Sequence, residues 1–186
     1  MLKKLFSGDY KKYTVITLIM TAGAFGLGFL WHFLFEITGK VGFIGIFAPV
    51  NESTWEHLKV LYFPFVISMI LEYFLYGKEA YNFFSSKLIG ITAGMLFTIA
   101  GFYTAVGAFG INNMAVNIGI YTGALVMAYL VSYFRMLKTP RLAGGGYESL
   151  AIVILAVYLI FFAVFTYFPP RLPLFRDPMT MRYSII

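Results

Sequence analysis

The residues able to do chemistry in this chain are few, and they are gathered. His32 and Glu36 are followed, after an apolar linker, by Asn51-Glu-Ser-Thr-Trp-Glu-His57. Both histidines and three of the eight acidic residues therefore surround one hydrophobic hairpin. His32 and Glu36 stand four apart, as do Glu52 and Glu56, and on a continuous helix each pair shares a face. Imidazole with carboxylate suits zinc, manganese or iron, and serves proton transfer equally well. The expected metal ligands are His32, Glu36, Glu52 and His57, with a divalent ion such as zinc as the cofactor. Glu52, His57 and Glu56 are the catalytic candidates. The two histidines could instead supply both axial ligands of a haem. There is no His-Glu-x-x-His and no Glu-x-x-His, so spacing does not name the metal.

The same stretch also has a purely structural reading. Ser53-Thr-Trp-Glu56 has the form of a capping box, in which Ser53 accepts from the third amide and Glu56 reaches back to the Ser53 amide. That register makes Glu52 and His57 the two positions where a hydrophobic staple normally closes. An acid and an imidazole occupy them here, so a Glu52–His57 contact is expected. Lys59 should pair with Glu56 and snorkel outward, and Glu72 should sit at the opposite interface.

The elements that position these groups are membrane helices. The sequence is 60% hydrophobic, 20% aromatic and 12% charged, against about 25% charged in soluble domains. Five runs reach the ~20 apolar residues that a crossing needs: about 14–35, 54–76, 85–105, 113–135 and 148–168. The fold class expected is an all-α, polytopic bundle forming one integral membrane domain over 1–186, with a tail over 169–186. The first run has a signal-peptide look, with Lys3, Lys4, Lys11 and Lys12 before it and Ala22-Gly-Ala24 inside it. It continues to Phe35, which favours a retained span. There is no cysteine, which excludes disulfides and thiolate sites.

Charge sets the expected orientation. Lys3, Lys4, Lys11, Lys12, Lys78, Lys87, Arg135, Lys138 and Arg141 fall on one side, and Lys40, Lys59, Arg171, Arg176 and Arg182 on the other. The richer side should be cytoplasmic, with the N-terminus there and the C-terminus outside. The net charge of +6 is spread over the ends of apolar runs. That pattern points to the bilayer and its anionic lipid on the cytoplasmic side, not to nucleic acid. Trp31 and Trp55 fall at the outer interface. Gly90-x-x-x-Gly94 and Gly119-x-x-x-Gly123 suggest that the third and fourth spans touch.

Several features suggest a cavity beside the cluster. Pro64 lies inside the second span and frees the Val60 carbonyl. Asn112, Asn113 and Asn117 open the fourth span and Tyr103 closes the third; amides in a span face protein or water. The expected lining is Asn51, Asn113, Asn117 and Tyr103, with Arg171 and Arg176 brought in by the proline-rich tail. The linker Thr38–Val50, with Gly39, Gly42 and Gly45, is apolar enough to be re-entrant or to lie on the outer surface.

Phe47-Ala-Pro-Val-Asn-Glu-Ser-Thr-Trp-Glu-His-Leu-Lys59 and Pro173-Leu-Phe-Arg-Asp-Pro178 resemble a family of small multi-pass proteins of Gram-positive bacteria and relatives, described only as a domain of unknown function. Met181 and Ser184 stand where that family's tail pattern has glycines. The resemblance implies a bacterial plasma-membrane location and no reaction. Two functions stay open. One is a membrane-embedded metal or ion site, hydrolase-like. The other is a small-solute binding or transport module, acting as a substrate-capture subunit or coupled to protons. Homo-oligomers or assembly with other membrane subunits fit either.

Overall fold

A computed structural model describes residues 10–138 and 146–183. Lys3, Lys4, Arg141 and Ser184, used above, lie outside the described residues, as does the side chain of Lys138. The elements are α1 (Tyr10–His32), two single-turn helices α2 (Leu34–Ile37) and α3 (Gly42–Gly45), α4 (Thr54–Leu75), α5 (Phe83–Phe102), α6 (Met114–Lys138) and α7 (Gly146–Tyr167). No strand occurs among the described residues. Five helices are long and apolar enough to cross a membrane, over Lys11–His32, Thr54–Leu75, Phe83–Ala108, Met114–Leu137 and Tyr147–Tyr167. This is the all-α, multi-pass membrane architecture expected. In hydrocarbon only such self-satisfied backbone is tolerated.

Helix α4 is the axis, with most of its side chains buried, including Glu56, Lys59 and Glu72. Helix α1 meets it through Tyr13 on Tyr76 and Trp31 on Phe63. Helix α7 meets it through the Tyr62 hydroxyl, which donates to the Leu155 carbonyl at 2.6 Å. Helices α5 and α6 pack through small residues. A Cβ on Gly90 would stand 2.3 Å from the Ala128 carbonyl oxygen, and one on Gly94 2.8 Å from that of Ala124. Gly123 receives the Phe97 ring, whereas Gly119 meets nothing within 4 Å. Three of the four suspected glycines thus serve the contact. Pro64 is accommodated within α4, which runs unbroken from Thr54 to Leu75.

Two polar expectations are corrected. Glu72 is not interfacial: it is fully buried and paired with Lys87, itself buried beneath Phe65, Phe83 and Tyr129. Tyr76 donates to the other Glu72 oxygen at 2.9 Å. Lys59 does not snorkel but is completely buried. An ammonium in hydrocarbon is stable only when paired and hydrogen-bonded, and both lysines are. Neither is a loop charge, so each side of the charge count loses one residue and the bias keeps its sign.

The linker lies across the ends of α1, α4 and α7. Its inner carbonyls are taken by side chains: Phe47 by Trp31 Nε1 at 2.9 Å, Gly42 by the Tyr167 hydroxyl at 2.7 Å, and Gly45 by Lys59. Trp31 and Trp55 face inward. Trp55 packs on Phe162, Phe165 and Phe175.

The α5–α6 contact yields a stability test. Gly90→Ala must push a backbone carbonyl aside and should cost about 1–3 kcal/mol, lowering the unfolding temperature in detergent. Gly119→Ala, in open space, should leave it unchanged or raise it.

Candidate functional site

The end of the bundle bearing Asn51–His57 is built by one turn. Asn51 Oδ1 accepts from the Ser53 amide at 2.9 Å, an Asx turn that sets the chain up for α4. Ser53, extended at ψ 153°, accepts the Glu56 amide on its hydroxyl at 3.3 Å and caps the helix. The reciprocal half of the box is not made. Glu56 passes Ser53 by and accepts the Val50 amide at 2.9 Å, with the Lys59 ammonium at 2.6 Å on the same oxygen. Lys59 also donates to the Gly45 carbonyl at 2.7 Å and to Thr166 Oγ1 at 2.5 Å. Glu56 is thereby consumed by structure, buried and fully engaged.

Glu52 is left free of that network, and the Glu52–His57 contact expected from the staple positions is present. His57 Nε2 lies 3.4 Å from Glu52 Oε2, and His32 Nε2 lies 3.8 Å from the same oxygen. The two Nε2 atoms are 3.3 Å apart. His57 Nδ1 is 3.0 Å from the Ser53 carbonyl oxygen, which can only accept. That bond fixes the tautomer: Nδ1 carries the proton and the Nε2 lone pair turns toward His32 and Glu52. His32 Nδ1 has no hydrogen-bond partner among the described residues. A proton on that buried nitrogen would be unsatisfied, so in the neutral ring it belongs on Nε2, which can donate to His57 Nε2 at 3.3 Å.

Glu36 does not join this group. Helix α1 stops at His32, Phe33 takes φ −95° and ψ −1°, and α2 starts afresh at Leu34. The four-residue spacing therefore does not stack Glu36 over His32. Glu36 is 65% exposed and pairs with Lys40 at 3.1 Å.

A cavity of about 730 Å³ opens beside the three residues, between α1, α4, α5 and α6. His32, Glu52 and His57 form one wall. Asn112, Asn113 and Asn117, at the start of α6, form the polar part of another. Asn51, Tyr103, Arg171 and Arg176 do not line it. Asn51 is held by its turn, Tyr103 sits in a π-helical turn (Tyr103–Ala108), and both arginines are exposed, with Arg176 within electrostatic reach of Tyr103. The tail contributes Pro178 and Met179 instead. Phe175 plugs it against Trp55 and Phe165, and buried Asp177 holds the next turn by accepting the Met179 amide and the Thr180 hydroxyl. The Arg-Asp-Pro178 motif was the available sequence signal for this role.

A family model for a family of unknown function (DUF6512) matches residues 2–185. The chain belongs to that family. Membership over nearly the whole length agrees with the resemblance read from the motif, and it brings no reaction with it. No curated protein and no solved structure matches the chain.

Lys59 is predicted to hold this end of the bundle together. Lys59→Met leaves the Glu56 carboxylate buried without its cation and should lower stability by about 3–5 kcal/mol. Adding Glu56→Gln to Lys59→Met should recover part of that loss, as read by thermal unfolding in detergent.

Proposed function

We propose that the protein is a bacterial plasma-membrane protein in which His32, Glu52 and His57 bind one divalent ion of the zinc class. The fourth coordination position faces the cavity. The observation that carries this reading is the spacing of the donor atoms. With metal–nitrogen bonds of about 2.0–2.1 Å, neighbouring ligands on a tetrahedron stand about 3.3–3.4 Å apart. The three donor separations are 3.3, 3.4 and 3.8 Å. Only the half-exposed Glu52 carboxylate has to move, and only slightly, toward His32. Two imidazoles, one carboxylate and an open place is the donor set of hydrolytic zinc sites. The Nδ1 bond from His57 to a backbone carbonyl is the usual outer-shell support of a ligating imidazole.

Such an ion activates water and polarises a carbonyl or phosphoryl oxygen. The chain has no cysteine, and of the hydroxyls that line the cavity (Thr54, Thr98 and Tyr121) Thr98 donates to the Gly94 carbonyl and Tyr121 to that of Ala24, both at 3.1 Å. Water activated by the ion is the nucleophile of this reading, and hydrolysis its reaction class. The lysine and arginine bias supports an outer-side location for the site. The asparagine wall favours a second reading, a solute-binding module in which the imidazoles and Glu52 exchange protons with the ligand or its surroundings.

Purified protein should bind one zinc per chain. His32→Ala, His57→Ala and Glu52→Gln should each weaken that binding by at least about ten-fold, while Glu36→Gln leaves it unchanged. Affinity should fall as pH is lowered, because an imidazole must be neutral to ligate. Metal-free protein whose melting temperature rises with a small solute would decide for the second reading.

A further inference from the structure

We infer that the cavity takes a single-chain amphiphile from the bilayer, with an uncharged, ester- or amide-linked headgroup lying against His32, Glu52 and His57. This deepens the metal-site reading and rests on it for the headgroup contact only.

The walls divide by polarity along the bundle. At the motif end stand the imidazoles, Glu52 and the three asparagines. Further in, the walls are Phe29, Val60, Phe102, Ile118 and Ile120, with Thr98 among them turning its hydroxyl hydrogen to the Gly94 carbonyl at 3.1 Å. Tyr121 closes the floor. It crosses to α1 because Gly28 has no side chain: a Cβ there would lie 1.9 Å from the Tyr121 hydroxyl oxygen, which donates to the Ala24 carbonyl at 3.1 Å. Phe33, just after α1, and Met114, the first residue of α6, line the cavity while 56% and 78% exposed. The cavity therefore opens where these two spans end, at the level a headgroup would occupy.

A small polar solute would leave the aromatic half of this volume unfilled. A two-chain lipid exceeds about 730 Å³, whereas one chain with a compact head is of the size that pockets of this class bury. Among the described residues no lysine or arginine lines the space, and Glu52 does. Glu52 offsets one of the two charges of a divalent ion and no other cation lines the space, so a phosphate dianion headgroup would stay uncompensated, while the asparagine amides can both donate to and accept from hydroxyl and amide groups.

The test uses the full chain in phosphatidylcholine nanodiscs with a monoacylglycerol carrying a diazirine on its acyl chain. After irradiation, cross-links should concentrate on Phe29, Phe102, Ile118 and Ile120, relative to the lipid-facing Leu18, Leu71 and Leu96. Excess unlabelled monoacylglycerol should suppress the first set and spare the second. Lysophosphatidic acid of the same chain should need about ten-fold more to compete. Ile118→Trp should remove the cavity cross-links while Leu96 stays labelled; if that variant does not fold, the competition arm decides alone. Even labelling of all apolar faces, or no suppression by competitor, overturns the inference. Equal competition by the anionic lipid overturns the headgroup assignment. Zinc content is measured on the same sample. Cavity labelling without zinc sinks the metal reading alone, and zinc with even labelling sinks the amphiphile alone.

Discussion

One ammonium group organises the functional end of this protein. Lys59 has no contact with water and is satisfied by donors' partners from three separate parts of the chain: the Glu56 carboxylate, the Gly45 carbonyl and the Thr166 hydroxyl. Thr166 is free to accept because its own hydrogen goes to the Phe162 carbonyl at 2.7 Å. Bringing a charge into a region of low dielectric is tolerable only when every donor finds an acceptor. The cation therefore forces the linker, the first turn of α4 and the last turn of α7 to one point. Through Glu56 the constraint reaches the Val50 amide, and from there it sets where Asn51 and Glu52 begin.

The opposite end of α4 repeats the device. Glu72, one turn from the helix end, meets Lys87 from the first turns of α5, with Tyr76 on the remaining oxygen and Thr17 of α1 3.3 Å from the Tyr76 hydroxyl. Each end of the axial helix thus carries a neutral, buried ion pair that fixes neighbouring helices. In lipid there is no hydrophobic drive between helices, so a preference for one register has to come from close packing and interhelical hydrogen bonds. Polar contacts that tolerate no slippage supply that preference, and they hold α1 and α4 at the relative height that brings His32 level with His57.

Much of this was legible along the chain, and the limits have a physical pattern. Span count, the Ser53 cap, the Glu52–His57 contact and the α5–α6 glycine contact all depend on short-range spacing, where helix geometry alone fixes which residues meet. The burial of Lys59 was not legible. Its sequence neighbourhood offers Glu56, but the acceptors that make burial tolerable are backbone and hydroxyl groups 14 and 107 positions away. Glu36 misled for the opposite reason. The spacing rule assumes an unbroken helix, and the break at Phe33 carries no proline or glycine to announce it. The roles of Pro178 and Met179 depend on how the tail folds back, which no local pattern encodes.

The division between Glu52 and Glu56 is what separates a site from a set of caps. Both carboxylates sit in the same turn, four residues apart, and a purely structural role would engage both. Glu56 accepts an amide and an ammonium and is buried. Glu52 is half-exposed and its nearest partners are the only two imidazoles in the chain. An apolar pair at those staple positions would anchor the helix without desolvating any polar group. The arrangement instead gives up that burial and uses the Ser53 carbonyl to turn the His57 lone pair inward. The same Ser53 thus caps α4 with its hydroxyl and orients His57 with its carbonyl, so the element that starts the helix also aims the imidazole.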